Sequence, residues 1–270
     1  MEWILYSTIV VVGLLFCLPF IMRWSIKEAS FYPKGRALIF GHRGSPAQIT
    51  ENTIPSFQKA IDRGVDGLEF DIRLAKDGVI MVFHDADLDR LSGNSAKVCE
   101  LTSTELQAIS LCKQEGQDIE TRIPTLHEMV SILEQTQVAN IEIKSEGVFD
   151  GHNIIKPLIA FLNTHHLDHK CIISSFNPLI LLKMRLQRPQ TMIGYLYKRG
   201  GWFHGWHNVI WMTRVRPDAL HIHYSLLDSW VVRWARKKGM RINSYTINDK
   251  KVFDSANIDG VFTDNIEYLK

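Results

Sequence analysis

A parallel α/β barrel of the (β/α)8 type is predicted by three features of this 270-residue chain. Short apolar runs rich in Ile, Val, Leu and Phe recur along it, segments of helical period alternate with them, and polar residues able to do chemistry gather where the runs end. Eight strand–helix alternations favour a closed barrel. An open doubly wound sheet is the alternative, and its dinucleotide-binding form is weakened because no Gly-x-Gly-x-x-Gly follows the first run. A net charge of +2 with no Lys/Arg run leaves no electrostatic footprint for nucleic acid. Cys17, Cys99, Cys112 and Cys171 form no Cys-x-x-Cys pair, which argues against a disulfide framework and for a reducing compartment.

Taken from the N-terminus, the first element is an uncharged stretch from Trp3 to Met22, with Trp3, Tyr6 and Trp24 near its ends. Its length predicts a transmembrane helix within residues 1–24, and the aromatic residues suit a membrane interface. A cleaved signal peptide is the rival reading, but the segment lacks a basic leader and a small-x-small cleavage site. Arg23, Lys27, Lys34 and Arg36 follow the span, so the positive-inside rule predicts a single-pass membrane protein with a cytoplasmic catalytic domain. Residues 25–35 would be a juxtamembrane linker, and 36–270 the barrel.

Barrel strands are expected at Ala37–Gly41, Gly67–Ile72, Ala139–Lys144, Cys171–Ser174, Met192–Leu196, Ala219–His223, Arg241–Tyr245 and Gly260–Phe262. Helices are expected between them at Ile54–Arg63, where Asn52-Thr53 caps and Pro55 sits in the first turn, and at Leu126–Leu133, Ile154–Asn163, Leu179–Leu186, Leu226–Lys238 and Lys250–Ala256. One run breaks the pattern. Val79–His84 follows its predecessor too closely for a parallel crossover, so Phe70–His84 reads as a hairpin turning at Lys76-Asp77-Gly78. The long stretch of about 85–124 is then a small insertion over the mouth, with Thr102–Ser110 helical.

Polar groups at the C-terminal ends of barrel strands face the active-site mouth. His42-Arg43 ends the first strand, Glu69-x-Asp71 the second, His84-Asp85 the hairpin and Glu142-x-Lys144 the third. Spacing of two puts both members of each pair on one side of a strand. Taken singly, each has a structural reading: a hydrogen-bonded histidine, a solvated strand edge, a same-face salt bridge. Together they fall at one predicted mouth. Three carboxylates there need a cation between them, and hard oxygen donors suit one Mg²⁺ or Ca²⁺ ion. Arg43 and Lys144 beside that ion suit a phosphate ester, and two histidines supply acid and base near neutral pH.

The blocks His42-Arg43-Gly44, Glu51-Asn52-Thr53, Gly64-x-Asp66, Glu69-x-Asp71, Lys76-Asp77-Gly78 and His84-Asp85 resemble the signature of the glycerophosphodiester phosphodiesterases. The resemblance continues through Ile141–Lys144, Ser174–Phe176, Asn243–Asn248 and Asp259–Asp264, and so covers the chain from about Ala37 onward. It implies a barrel of the phospholipase-C-like phosphodiesterase type with a small insertion, dependent on a divalent cation. It implies His42 and His84 as catalytic base and acid, Glu69, Asp71 and Glu142 as metal ligands, and Arg43 and Lys144 on the phosphate. Glu51 and Asn52 are expected to order the loop beside His42, with Glu51 near the metal, and Glu51, His223 and Tyr245 are expected as possible lining of the substrate pocket. Tyr245 stands where the family often has Trp, which leaves the leaving-group preference open. A substrate hydroxyl can be the first nucleophile in such enzymes, giving a cyclic phosphate that water opens.

The expected substrate is a glycerophosphodiester, cleaved to glycerol phosphate and an alcohol. Lysophospholipase D-type or sphingomyelinase D-like cleavage of lysophospholipids is the alternative, and a non-catalytic lipid-binding barrel a further one. The expected partners are that substrate and the membrane bilayer. The aromatic segment 201–212 has two readings, as a core-facing helix or as a second contact with lipid headgroups.

Overall fold

The computed structural model describes residues 3, 6, 13, 17, 21–112, 120–198 and 202–269. Its strands are β1 (Leu38–His42), β2 (Gly67–Leu74), β3 (Ile80–Val82), β4 (Asp87–Leu88), β5 (Asn94–Lys97), β6 (Val138–Ile143), β7 (Cys171–Ser175), β8 (Met192–Tyr197), β9 (Ala219–His223), β10 (Arg241–Tyr245) and β11 (Gly260–Thr263). All but β3, β4 and β5 pair in parallel, in the order β1-β11-β10-β9-β8-β7-β6-β2, and β2 returns to β1. The sheet is therefore a closed eight-stranded barrel, and the open-sheet alternative falls.

Eight apolar runs produce this closure because each strand is buried between the barrel interior and an outer helix. The outer layer comprises α1 (Ile54–Asp62), α3 (Val130–Glu134), α4 (Ile155–Thr164), α5 (Pro178–Gln187), α6 (Trp202–Val215), α7 (Trp230–Lys237) and α8 (Lys250–Ser255), while α2 (Ser103–Gln107) lies in the insertion. In α1 the Thr53 side chain accepts from the Ser56 amide, and Phe57 and Ala60 are buried. Phe57 meets Phe70 of β2 edge-on at 5.8 Å. Its full burial stabilises by about 2–3 kcal/mol relative to exposure.

β3 runs antiparallel to β2, pairing Ile72 with Val82 and Leu74 with Ile80. The hairpin turns where the sequence placed it: Gly78 has φ +83°, a left-handed conformation that glycine adopts without Cβ strain, and its amide donates to the Ala75 carbonyl. Beyond it the insertion builds its own small core from Met81, Phe83, Leu88, Val98, Leu106, Leu111 and Ile123. Residues 113–119 of the insertion lie outside the described part.

The expectation of a single-pass membrane protein is corrected. Among the described residues no helix is long and apolar enough to cross a membrane. Most of the segment that carried the expectation, residues 4–5, 7–12, 14–16 and 18–20, lies outside the described part, and with the span goes the argument for a cytoplasmic orientation. Trp24, expected at a membrane interface, packs on the barrel instead. Its ring lies 6.1 Å from that of Trp234, and its Nε1 donates to the Pro217 carbonyl. The Lys27 amide donates to the fully buried Asp218, which also accepts from Arg185 Nη2 and the Ile193 amide. Phe31 and Tyr32 then close the barrel floor with Leu38, Phe40, Val138 and Phe262. In the aromatic segment, Val209 and Met212 of α6 are buried and the Asn208 side chain accepts from the Tyr195 hydroxyl, so this helix is core-facing along that side. The side chains of residues 202–204 lie outside the described part.

Candidate active site

Strand register assembles the mouth. His42 is level with Glu69, and Asp71 with Glu142, across adjacent parallel strands. Glu69, Asp71 and Glu142 are all buried, and each offers an oxygen within 4.8 Å of the other two. Burial and the Asp71 charge push the Glu69 carboxyl up to about 8. Burial also raises Glu142. For Asp71 burial acts in the same sense, but Lys144 and Arg43 outweigh it and hold the carboxyl well below its usual range. Burial and mutual repulsion thus oppose full ionisation of the cluster, and its all-oxygen donor set can take a divalent cation that would relieve both.

Two cations flank it. Lys144 Nζ lies 2.7 Å from Glu142 Oε1 and 3.4 Å from Asp71 Oδ1. Arg43 Nε lies 3.4 Å from Asp71 Oδ2, and its Nη1 donates to Glu51 Oε1 at 2.9 Å. Arg43 reaches this position from a left-handed backbone, φ +55°. The turn is closed by Gly44, φ +93°, where any Cβ would meet Ser56 Oγ at 2.5 Å. Asn52 is also left-handed at φ +56°, and its amide clamps Asp71: Nδ2 donates to Oδ2 at 2.9 Å while Oδ1 accepts from the Asp71 amide at 3.3 Å. The sequence placed Asn52 both in a helix cap with Thr53 and in the loop beside His42; Thr53 is the cap, and Asn52 serves the site through Asp71.

Both histidines are held at Nδ1 by an aspartate. His42 Nδ1 lies 2.6 Å from Asp264 Oδ1, and its Nε2 lies 3.8 Å from Glu69 Oε2. Burial disfavours its charged form, but Glu69 and Asp264 prevail and raise its pKa. His84 Nδ1 lies 2.6 Å from Asp85 Oδ1. Its pKa is lowered, by burial first and by Lys144 and Arg43, against the pull of Asp71. Arg73 Nε donates to the His84 carbonyl, fixing the chain where the hairpin ends.

A cavity of about 640 Å³ opens beside these groups, lined by His84, Glu142, Lys144, Phe176, His223 and Tyr245 among others. His223 and Tyr245 both line this cavity. The Tyr245 hydroxyl, however, donates to the Tyr197 carbonyl at 2.8 Å, so the group that distinguishes it from Trp is used within the barrel. Glu51 points to Arg43 and to Arg90, which donates to both Glu51 oxygens.

Three contributors escaped the sequence reading: Asp85 and Asp264 as histidine partners, and Arg90. Asp85 follows His84 directly and Asp264 directly follows the last strand, so both positions were visible without their roles. Nothing in the pattern pointed to Arg90.

A mouth that sets two oriented histidines and two cations around a buried carboxylate cluster is built for hydrolysis at a phosphoric diester. The chain belongs to the glycerophosphoryl diester phosphodiesterase family, whose model matches residues 42–268, and it is a phosphoric diester hydrolase. A glycerophosphodiester phosphodiesterase of Caldanaerobacter subterraneus subsp. tengcongensis is 31% identical over 239 residues, covering 87% of this chain and 96% of that protein. A phosphodiesterase of Oleispira antarctica, solved with the product sn-glycerol-3-phosphate, superposes with a TM-score of 0.75 at 28% identity, covering 89% of this chain and 96% of the other. A lysophospholipase D of Mus musculus is 32% identical over 151 residues, covering 53% of this chain and 46% of its own length.

Proposed function

We propose that the protein hydrolyses glycerophosphodiesters to glycerol phosphate and an alcohol, with His42 as general base, His84 as general acid, and one divalent cation, Mg²⁺ or Ca²⁺, held by Glu69, Asp71 and Glu142. The observation that carries this reading is the buried cluster itself, three carboxylates from three strand positions within 4.8 Å of one another. Opposite oxygen ligands of such ions lie roughly 4–5 Å apart, so the spacing fits. When bound, the cation would polarise a phosphoryl oxygen and offset the mutual repulsion of the carboxylates.

The protein's own groups supply the rest. Asp264 accepts from His42 Nδ1–H and so leaves the Nε2 lone pair free to take a proton from the attacking hydroxyl or water. Asp85 holds His84 so that the opposite ring nitrogen can deliver a proton to the departing alcohol oxygen as the P–O bond breaks. Arg43 and Lys144 stand beside the cluster to stabilise charge that builds on the phosphoryl oxygens. His223 and Tyr245 line the space for the substrate's organic part, and Glu51 keeps Arg43 in place. Residues 36–270 form the catalytic domain, with 85–124 as an insertion over the mouth.

A second substrate class, the lysophospholipids, is favoured by one feature. Val148 is 58% and Phe149 88% exposed, and the Val148 carbonyl accepts from Asn177, next to Phe176 in the cavity wall. This apolar rim could cover an acyl chain, and the mouse relative is named as a lysophospholipase D. The test is a metal-dependent assay on glycerophosphodiesters and lysophospholipids. Chelation should abolish turnover, Mg²⁺ or Ca²⁺ should restore it to the wild type, and neither ion should restore Glu142→Gln. Full activity in chelator would overturn the metal assignment, and undiminished turnover in His42→Ala the assigned base.

A further inference from the structure

Arg90 lies on a single helical turn, Asp89–Ser92, of the insertion. The turn is fixed at both ends. Ser92 Oγ donates to the Leu88 carbonyl at 2.8 Å, Leu88 is fully buried in the insertion's core, and the left-handed Gly93 closes the turn. The Leu91 carbonyl accepts from the Cys112 amide, and the Cys112 carbonyl accepts from Thr50 of the loop that follows β1. The insertion is therefore tied to the loop carrying Glu51 independently of Arg90.

From this base the guanidinium reaches two carboxylates that belong to different halves of the site. Nε donates to Asp85 Oδ2 at 2.6 Å. Nη2 and Nη1 donate to Glu51 Oε1 and Oε2 at 2.6 and 3.1 Å. The other oxygen of Asp85 holds His84, and Glu51 Oε1 also holds Arg43. One planar group thus completes a continuous chain His84–Asp85–Arg90–Glu51–Arg43. Without it, Asp85 and Glu51 would face each other with no cation between them, and each would be free to rotate away with the group it orients. Only a fork can donate to both in these directions; a lysine ammonium is a point donor and can serve one carboxylate well.

We infer that Arg90 is a positioning residue for the phosphodiesterase reaction, coupling the acid His84 to the phosphate-binding Arg43 through a two-carboxylate clamp supplied by the insertion. The inference rests on the reading of His84 as general acid. It gives the insertion a role in catalysis: ordering the hairpin histidine against the barrel.

The test compares Arg90→Ala, Arg90→Lys and His84→Ala on two substrates. One is a glycerophosphodiester with a poor leaving group, such as ethanolamine. The other is a glycerol phosphodiester of 4-nitrophenol, whose departure needs no proton. General-acid catalysis contributes about 10²–10⁴-fold, so misplacing the acid in Arg90→Ala should cost roughly thirtyfold in kcat on the ethanolamine diester. It should cost less than about threefold in kcat on the nitrophenyl ester, with a rise in KM on both as Arg43 loosens. Arg90→Lys should recover part of the kcat loss, and Asp85→Asn added to Arg90→Ala should cost little more, because the repulsion is gone. If His84→Ala shows the leaving-group contrast and Arg90→Ala loses equally on both substrates, the coupling is wrong while the acid stands. If His84→Ala shows no contrast, the acid assignment fails and the inference with it. A fall in melting temperature in Arg90→Ala with additive effects of Asp85→Asn would reduce Arg90 to a structural tie and overturn the proposal.

Discussion

Replacing Asp264 by Asn exchanges one acceptor oxygen for a donating amide nitrogen and leaves the side-chain shape intact, yet the surrounding hydrogen bonds dictate an inverted histidine. Asn248 is fixed in orientation, since its Oδ1 accepts from the Asp264 amide at 2.8 Å and from Thr263 Oγ1 at 3.0 Å. Its Nδ2 therefore donates, to Asp264 Oδ2 at 2.9 Å. In Asp264→Asn the atom facing that donor must be the new carbonyl oxygen, which turns the new amide nitrogen toward His42 Nδ1. His42 Nδ1 must then accept, so the proton moves to Nε2 and the lone pair that the proposed general base needs is lost. A hydrogen bond to a charged group contributes about 1.5–3 kcal/mol, and the lower half of that range applies to a carboxylate whose side chain is 35% exposed. Conversion at about 1.4 kcal/mol per decade gives a loss of roughly ten- to fortyfold in kcat/KM from the bond alone. The tautomer inversion adds to it in the Asn variant only. Asp264→Ala removes the bond and leaves His42 free to choose its tautomer, so Ala should retain more activity than Asn. Steady-state kcat/KM on a glycerophosphodiester, with melting temperatures to confirm folding, measures both. An Asn variant more active than the Ala variant, or within threefold of wild type, would show that Asp264 does not set the tautomer.

Two further outcomes concern stability. His221 on β9 is fully buried and its burial depresses the pKa to about 3 from the ordinary 6.5, so it folds neutral. The unfolded chain binds the extra proton first: the contribution is intact above pH 6.5 and is lost as pH falls toward 3, reaching about 2 kcal/mol at pH 5. Urea melts of wild type and His221→Gln from pH 7 to 5 should converge as pH falls, and parallel curves would refute the assignment. Gly44→Ala combines a left-handed φ of +93° with a Cβ 2.5 Å from Ser56 Oγ and 2.8 Å from backbone. It should cost about 1–3 kcal/mol by denaturant melts and displace Arg43, raising KM; an unchanged midpoint would mean that the turn relaxes freely.

The fold was legible because each strand is bounded by what a strand end requires. Ala219–His223 and Arg241–Tyr245 were read with their observed limits, since Asp218 and Met240 precede them and a polar turn follows. The hairpin was legible from a steric argument alone, six residues being too few for a parallel crossover. The mouth residues followed from the same periodicity, because a carboxylate two positions from another on a strand must share its side. What pattern could not supply was pairing across the barrel. Asn243 donates to Tyr32 from 211 positions away and lies 3.1 Å from His221, a polar floor that no local signal marks. The interfacial place expected for Trp24 failed for a related reason: apolar composition near residues 3–22 says nothing of where the next segment goes, and Trp24, Lys27 and Tyr32 are held by Pro217, Asp218 and Asn243.

The two histidine–aspartate pairs also differ in what assembles them. His84 and Asp85 are neighbours in sequence, so their hydrogen bond needs only a local backbone conformation. His42 and Asp264 are 222 residues apart and meet only when β11 docks on β1, with Gly41 level with Thr263. The His42 side of the site is thus a product of barrel closure, and the His84 side of the hairpin and its insertion. Local opening at the β1–β11 seam would separate His42 from its partner before it disturbed His84. The last strand consequently does more than complete the sheet. The carboxylate of Asp264 directly after it, braced by Asn248 from the loop after β10, makes the orientation of the first strand's histidine depend on the whole barrel having closed.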